Sequence, residues 1–163
     1  MAGGSIVEGN VKDAYILTSR LIERLHRRFL DVVKAELDRL GVEDINNVQT
    51  LILFNIGGET LTVGELTLRG CYLGSNVSYN VRKLVENGYL MQERSTHDRR
   101  MTRVRLSEKG LRLIEKIDAL YGRGAEELER RGIRREELER TNQLLVRLDR
   151  FWEGQLSQLS LLR

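Results

Sequence analysis

The sequence predicts a mainly α-helical chain with one small β-hairpin, and three observations carry that prediction. Apolar residues recur at helical spacing over most of the 163 residues, and no proline interrupts them. Residues 89–106 break the pattern and read as two strand-like runs around a basic turn. The composition, 40% hydrophobic and 31% charged, suits a helix-rich chain long enough to bury a core without disulfides.

From Val11 to about Leu40, Ala14, Leu17, Leu21, Leu25, Phe29, Val33 and Leu37 mark one long amphipathic helix, ended by Gly41. Asn46 or Asn47 can cap a second helix through Val48, Leu51, Ile52 and Ile56, which Gly57 and Gly58 stop. A short extended piece lies near Thr60 and Leu61. Thr62 and Glu65 then stand at the spacing of a capping box, in which each side chain satisfies a free backbone N–H of the other. A short third helix follows, with Leu66 on its buried face. After the turn from Gly70 to Gly74, a fourth helix starts at Ser75. Its apolar stripe is Val77, Val81, Leu84 and Val85, and Asn87-Gly88 ends it.

Tyr89–Arg94 and Met101–Leu106 are the strand-like runs, the second alternating strictly between apolar and polar. Ser107 caps a fifth helix, with Glu108 favourably placed at its N-terminus and Leu111, Ile114, Ile117 and Tyr121 in period. Glu126 through Arg140 is charge-rich and reads as solvated helix with a break near Gly132. The last helix carries Leu138, Leu145, Leu148, Trp152 and Leu159, at spacings of 7, 3, 4 and 7, and the tail from Leu156 to Leu162 is apolar. Apolar stripes at both ends of the chain predict a homodimer, the alternative being that they complete a monomer core.

The chemistry concentrates in residues 75–107. The outer face of the fourth helix offers Ser75, Asn76, Ser78, Tyr79, Asn80, Arg82 and Lys83. Arginine and lysine pair with guanine edges or phosphates, asparagine pairs with adenine, and hydroxyls bind phosphate. The turn Thr96-His97-Asp98-Arg99-Arg100 puts two adjacent arginines at the hairpin tip. Charge follows the same segment. Residues 1–68 carry 7 Lys/Arg against 10 Asp/Glu, residues 69–105 carry 8 against 3, and residues 106–163 carry 12 against 11. The net +3 is therefore a local basic patch, the arrangement that gains most from counterion release on phosphate. A helix able to enter a major groove, followed by an arginine-tipped hairpin, is the layout of a winged helix-turn-helix, and double-stranded DNA is the expected partner. His97 would touch phosphate or be solvated. Asp98 can hold the turn by accepting hydrogen bonds from backbone or from Arg100, aiming an arginine toward a narrow minor groove.

Other chemistry has little support. His26 and His97 are far apart and in no metal-ligand spacing, and no nucleophile elbow, phosphate loop or dinucleotide fingerprint occurs. No metal, cofactor or catalytic residue is expected. No apolar run approaches the ~20 residues of a membrane span. The single cysteine, Cys71, excludes an intrachain disulfide framework and fits a reducing cytoplasm.

Three stretches resemble the MarR (multiple-antibiotic-resistance regulator) family, and the resemblance covers nearly the whole chain. Leu61–Leu66 looks like the first helix of that family's helix-turn-helix. Ser75–Leu90 is similar to its recognition helix and the strand after it. Asp98-Arg99-Arg100, followed by Leu106-Ser107-Glu108-Lys109-Gly110, is similar to its wing motif, Asp-x-Arg ending in Leu-Thr/Ser-x-x-Gly, and is the most specific of the three. The resemblance implies one domain over residues 1–163. A winged helix lobe would span 46–107, and an α-helical dimerisation region would be formed by 6–41 and 108–163. It implies that Asp98 braces the wing and Arg100 enters the minor groove. It also implies a repressor released by a small anionic or aromatic effector held between the two lobes, for which Tyr15, Ser19, His26, Thr50 and Phe54 are the candidates. The residues themselves do not distinguish repression from activation. Glycines bound the turn Gly70–Gly74 where members commonly carry a large apolar residue, and Tyr79-Asn80 stands where many have threonine and arginine, so operator preference does not carry over. Two further expectations compete. One is redox sensing through Cys71, which some members perform with a cysteine nearer the N-terminal helix. The other, from a different class, is a helical adaptor whose winged helix binds protein.

Overall fold

The computed structural model describes residues 10–70, 74–94 and 102–160. In chain order the elements are α1 (Val11–Arg39), α2 (Asn47–Ile56), β1 (Leu61–Thr62), α3 (Val63–Gly70), α4 (Gly74–Glu86), β2 (Leu90–Arg94), β3 (Thr102–Leu106), α5 (Glu108–Arg130) and α6 (Arg135–Ser160). By its internal contacts the chain divides into two compact units, one through Ile117 and one from Asp118.

In the first unit the caps operate as their residue types predict. Asn10 accepts from the Asp13 N–H to start α1. Asn46, rather than Asn47, caps α2 in a reciprocal box with Gln49. Asn47 instead donates its side-chain amide to the Leu30 carbonyl at 3.0 Å, tying α2 to α1. The Thr62–Glu65 box also forms, with bonds of 2.7 and 3.1 Å. Leu66 is then fully buried.

The sheet is antiparallel in the order β1-β3-β2. Leu61 pairs with Val104 and Leu90 with Leu106, so the alternation along β3 puts Val104 and Leu106 into the core while Arg103 faces out. That core joins Leu37, Ile52, Leu53, Ile56, Leu66, Val77, Val81, Leu84, Tyr89 and Ile117. The strand begins at Leu90 rather than Tyr89, because Gly88 (φ +76°) and Tyr89 are still closing the end of α4.

One expectation about α5 is corrected. Its buried line is Gly110, Leu113 and Ile117, with Ile114 half-buried, whereas Leu111 is exposed and so is Tyr121. Starting the periodic pattern at Leu111 missed a glycine at the point of closest approach. The helix also runs through Gly122 and Gly124 without interruption. In the second unit α5 ends at Arg130, Gly132 (φ +82°) turns the chain, and α6 follows. Among the described residues from Asp118 to Leu159, none is fully buried.

Candidate nucleic-acid interface

The α4 sequence repeats apolar residues at 77, 81, 84 and 85, and this stripe holds the helix against the core. Val77 and Leu84 are fully buried, Val81 nearly so, and Val85 is half-buried. The opposite face is thereby left to water. Asn76, Ser78, Tyr79 and Arg82 are exposed there, Tyr79 by 57%. The helix starts at Gly74, one residue before the expected Ser75, whose side chain lies outside the described residues.

Two members of the expected set are engaged within the protein. Lys83 donates to the Glu86 carboxylate at 2.7 Å, and this hydrogen bond, with the attraction of the same charge, raises the lysine pKa. Asn80 is half-buried. Its amide donates to the Asn76 carbonyl at 2.8 Å and accepts from the Gln49 side chain at 3.2 Å.

Ser78 and Arg82 open on the other flank of α4 onto a groove of about 310 Å³, shared with Gln92 and Thr102 of the hairpin and Val63 of α3. α4 and the hairpin therefore meet along one groove, which Val81, Val85 and Glu86 also line. On the hairpin Arg105 is paired with Glu93 at 2.5 Å, while Arg103 is exposed. His97, Asp98, Arg99 and Arg100 lie outside the described residues, as does Cys71.

The base of the hairpin is locked by a corner that sequence reading passed over. Asp44 receives the Tyr89 hydroxyl at 2.7 Å and the Lys109 ammonium at 2.6 Å. Lys109 also donates to the Asn87 carbonyl and lies 4.0 Å from the Tyr89 ring centre. Partial burial pushes the Asp44 carboxyl up, but the bonds from Lys109 and Tyr89 outweigh it and leave its pKa lowered. Burial and the facing Asp44 raise the Tyr89 phenol well above its usual range. Ser107 donates to the Gly88 carbonyl at 2.6 Å and accepts from the Gly110 N–H at 3.1 Å. A Cβ at Gly110 would collide with the Tyr89 carbonyl oxygen. Ser107, Lys109 and Gly110, all within the motif Leu106–Gly110, were thus the signals of this corner in the sequence.

The effector candidates divide between the core and the surface. Thr50 is fully buried and turns its hydroxyl back to the Asn46 carbonyl at 2.9 Å, and Phe54 packs half-buried on the core. Tyr15 and His26 are exposed on α1, and Ser19 donates to the Tyr15 carbonyl. A cavity of about 450 Å³ lies instead where α1 meets α2, lined by Lys34, Asp38, Asp44, Asn46 and Gln49 among others. Among the described residues no acidic, histidine or cysteine cluster could hold a metal ion, and no helix is long and apolar enough to cross a membrane.

A family profile described as a winged helix DNA-binding domain matches residues 45–110. The exopolysaccharide II synthesis transcriptional activator ExpG of Rhizobium meliloti (strain 1021) is 41% identical over 139 residues, covering 85% of this chain and 71% of that one. A MarR transcriptional regulator from Methanosarcina mazei Go1 superposes with a TM-score of 0.68 at 23% identity, over 84% of this chain and 97% of that one. A mutant MarR from E. coli, complexed with operator DNA, superposes with a TM-score of 0.69 at 20% identity, over 86% and 99%. The chain belongs to the MarR family of winged helix-turn-helix, DNA-binding transcriptional regulators.

Proposed function

We propose that the protein acts as a homodimer on a pseudo-palindromic duplex, inserting α4 into the major groove and the hairpin tip into the minor groove. The observation that carries this reading is the outer face of α4, where Asn76, Ser78, Tyr79 and Arg82 stand exposed beside the hairpin on a helix whose other face is locked into the core. Ser75, Lys83, His97 and Arg99 would add phosphate contacts, and Arg100, braced by Asp98, would enter the minor groove. A dimer suits this because two helix-turn-helix lobes read half-sites about one helical turn apart. The second unit supports it too, since its apolar residues find no buried place among the described residues of one chain.

The 41% identical relative is named a transcriptional activator, which favours activation over the expected repression. The role is that of a regulator rather than an enzyme. A small anionic or aromatic effector completes the proposal, and benzoate titrated against the protein–DNA complex is a first probe of it. Selection of bound duplexes from a random or genomic pool tests the whole reading. A recovered inverted repeat, bound with an affinity that falls steeply with salt, is expected. Recovery of no common sequence would favour the adaptor reading. Alkylation of Cys71 that leaves binding intact would dispose of redox sensing.

A further inference from the structure

We propose that Gln49, which lies on α2, is a positioning residue for the recognition helix, acting through Asn80. Four bonds form one relay. Asn46 and Gln49 exchange the two bonds of the capping box, at 2.8 and 3.0 Å. The remaining end of the Gln49 amide donates to Asn80 at 3.2 Å, and Asn80 donates to the Asn76 carbonyl one turn back at 2.8 Å.

Backbone atoms at both ends fix how these amides point. The Asn46 N–H needs an acceptor, so it takes Gln49 Oε1 and leaves Nε2 for Asn80. The Asn76 carbonyl can only accept, so Asn80 turns Nδ2 toward it and leaves Oδ1 for Gln49. Gln49 is only 6% exposed, and a buried amide is costly to leave unmatched, so the relay holds one register between α2 and α4. Asn80 stands at the margin of the DNA-facing surface with both functions of its amide in use. It aims the helix, and its neighbours Asn76, Tyr79 and Arg82 face the duplex.

The inference rests on the major-groove assignment of α4 and concerns sequence discrimination more than raw affinity. Misaiming the helix weakens base contacts while leaving most phosphate contacts in place. Gln49→Glu is the incisive variant. A glutamate still accepts the Asn46 N–H and keeps the cap, but it presents an oxygen to the Asn80 oxygen. Asn80→Leu cuts the relay at its other end, at a half-exposed position, and a thermal melt of each variant checks that it is folded.

The measurement is the ratio of affinities for the duplex that wild-type protein selects from a random pool and for a scrambled duplex of equal length. Each variant is expected to lower that ratio about tenfold, the factor corresponding to 1.4 kcal/mol. The double variant is expected to lose no more than either single one, since both cut the same tie. Losses that add would overturn the inference, as would an Asn80→Leu protein that relaxes preference at one base pair while Gln49→Glu keeps it. Asn80 would then be reading a base itself. An unchanged ratio in Gln49→Glu would also overturn it. If the wild type selects no sequence, the DNA reading fails and this inference fails with it; if the wild type selects one and both variants keep its ratio, only the positioning role fails.

Discussion

Gly110 shows how one residue can be dictated by its neighbour's backbone. The Tyr89 carbonyl accepts the Ser107 N–H and passes so close to Gly110 that no Cβ fits. Gly110→Ala must push α5 away from the start of β2, and is expected to cost about 1–3 kcal/mol, as overpacking does. Urea unfolding would show this as a lower midpoint at unchanged slope, and an unchanged midpoint would mean that the corner yields freely. Glu86 is the other telling residue, for it places a negative charge at the end of the surface proposed to meet phosphate and ties up Lys83. Glu86→Gln is expected to tighten duplex binding several-fold at low salt and to steepen the salt dependence by about one phosphate contact. Weaker binding by this variant would mean that Glu86 itself reads a base. The carboxylate was easy to pass over in the sequence, because 86 follows the polar positions singled out on α4. Its partner emerges only when the helix is built and i, i+3 neighbours meet.

At the scale of elements, helices and strands were legible because caps and periodicity are local. Asn46, the Thr62–Glu65 box and Gly88 each signal a boundary through chemistry within a few residues. What stayed hidden was long-range. Asp44 meets Lys109 and Tyr89 from 65 and 45 positions away, and no local pattern marks such a meeting. The Gln49–Asn80 bond, 31 positions apart, escaped for the same reason. The Asp44 corner gives the lobe a pH dependence whose sign follows from its lowered carboxyl pKa. Its contribution is complete above the unfolded carboxylate value of about 3.9 and is lost as the pH falls through the lower folded value. Asp44→Asn is therefore expected to flatten the acid limb of a melting-temperature profile, leaving a smaller gap to the wild type at pH 3 than at pH 7. A constant gap would show that the carboxylate charge contributes nothing. The hairpin is the second element under test. Arg100→Ala is expected to weaken duplex binding at least several-fold without changing the sedimentation of the free protein, and unchanged affinity would sink the wing assignment.

For the whole molecule the decisive fact is an uneven distribution of burial. The unit through Ile117 has a contiguous core, whereas the described part of the unit from Asp118 has no fully buried residue. A helical pair without a core cannot offset the entropy of ordering itself, so its apolar residues need a covering surface. Leu138, Leu145, Leu148, Trp152 and Leu159 follow the 7-, 3-, 4- and 7-residue spacings of a coiled-coil seam. Leu145 is 40% and Leu159 60% exposed, which is more apolar surface along one line than a solvated helix needs. The occupant proposed is a second copy of the chain, because a two-fold axis would pair like stripes and would set two α4 helices on successive half-sites. Leu138→Glu with Leu145→Glu tests this without touching the core of the first unit. Wild-type protein is expected to sediment as a dimer at micromolar concentration and the double variant as a monomer with a folded winged helix. On DNA the variant is expected to lose most of its affinity for a full inverted repeat while binding an isolated half-site as the wild-type lobe does. A wild-type monomer would remove the interface, and a dimeric variant would move it away from α6. A monomeric variant that still binds the full repeat tightly would separate dimerisation from operator reading.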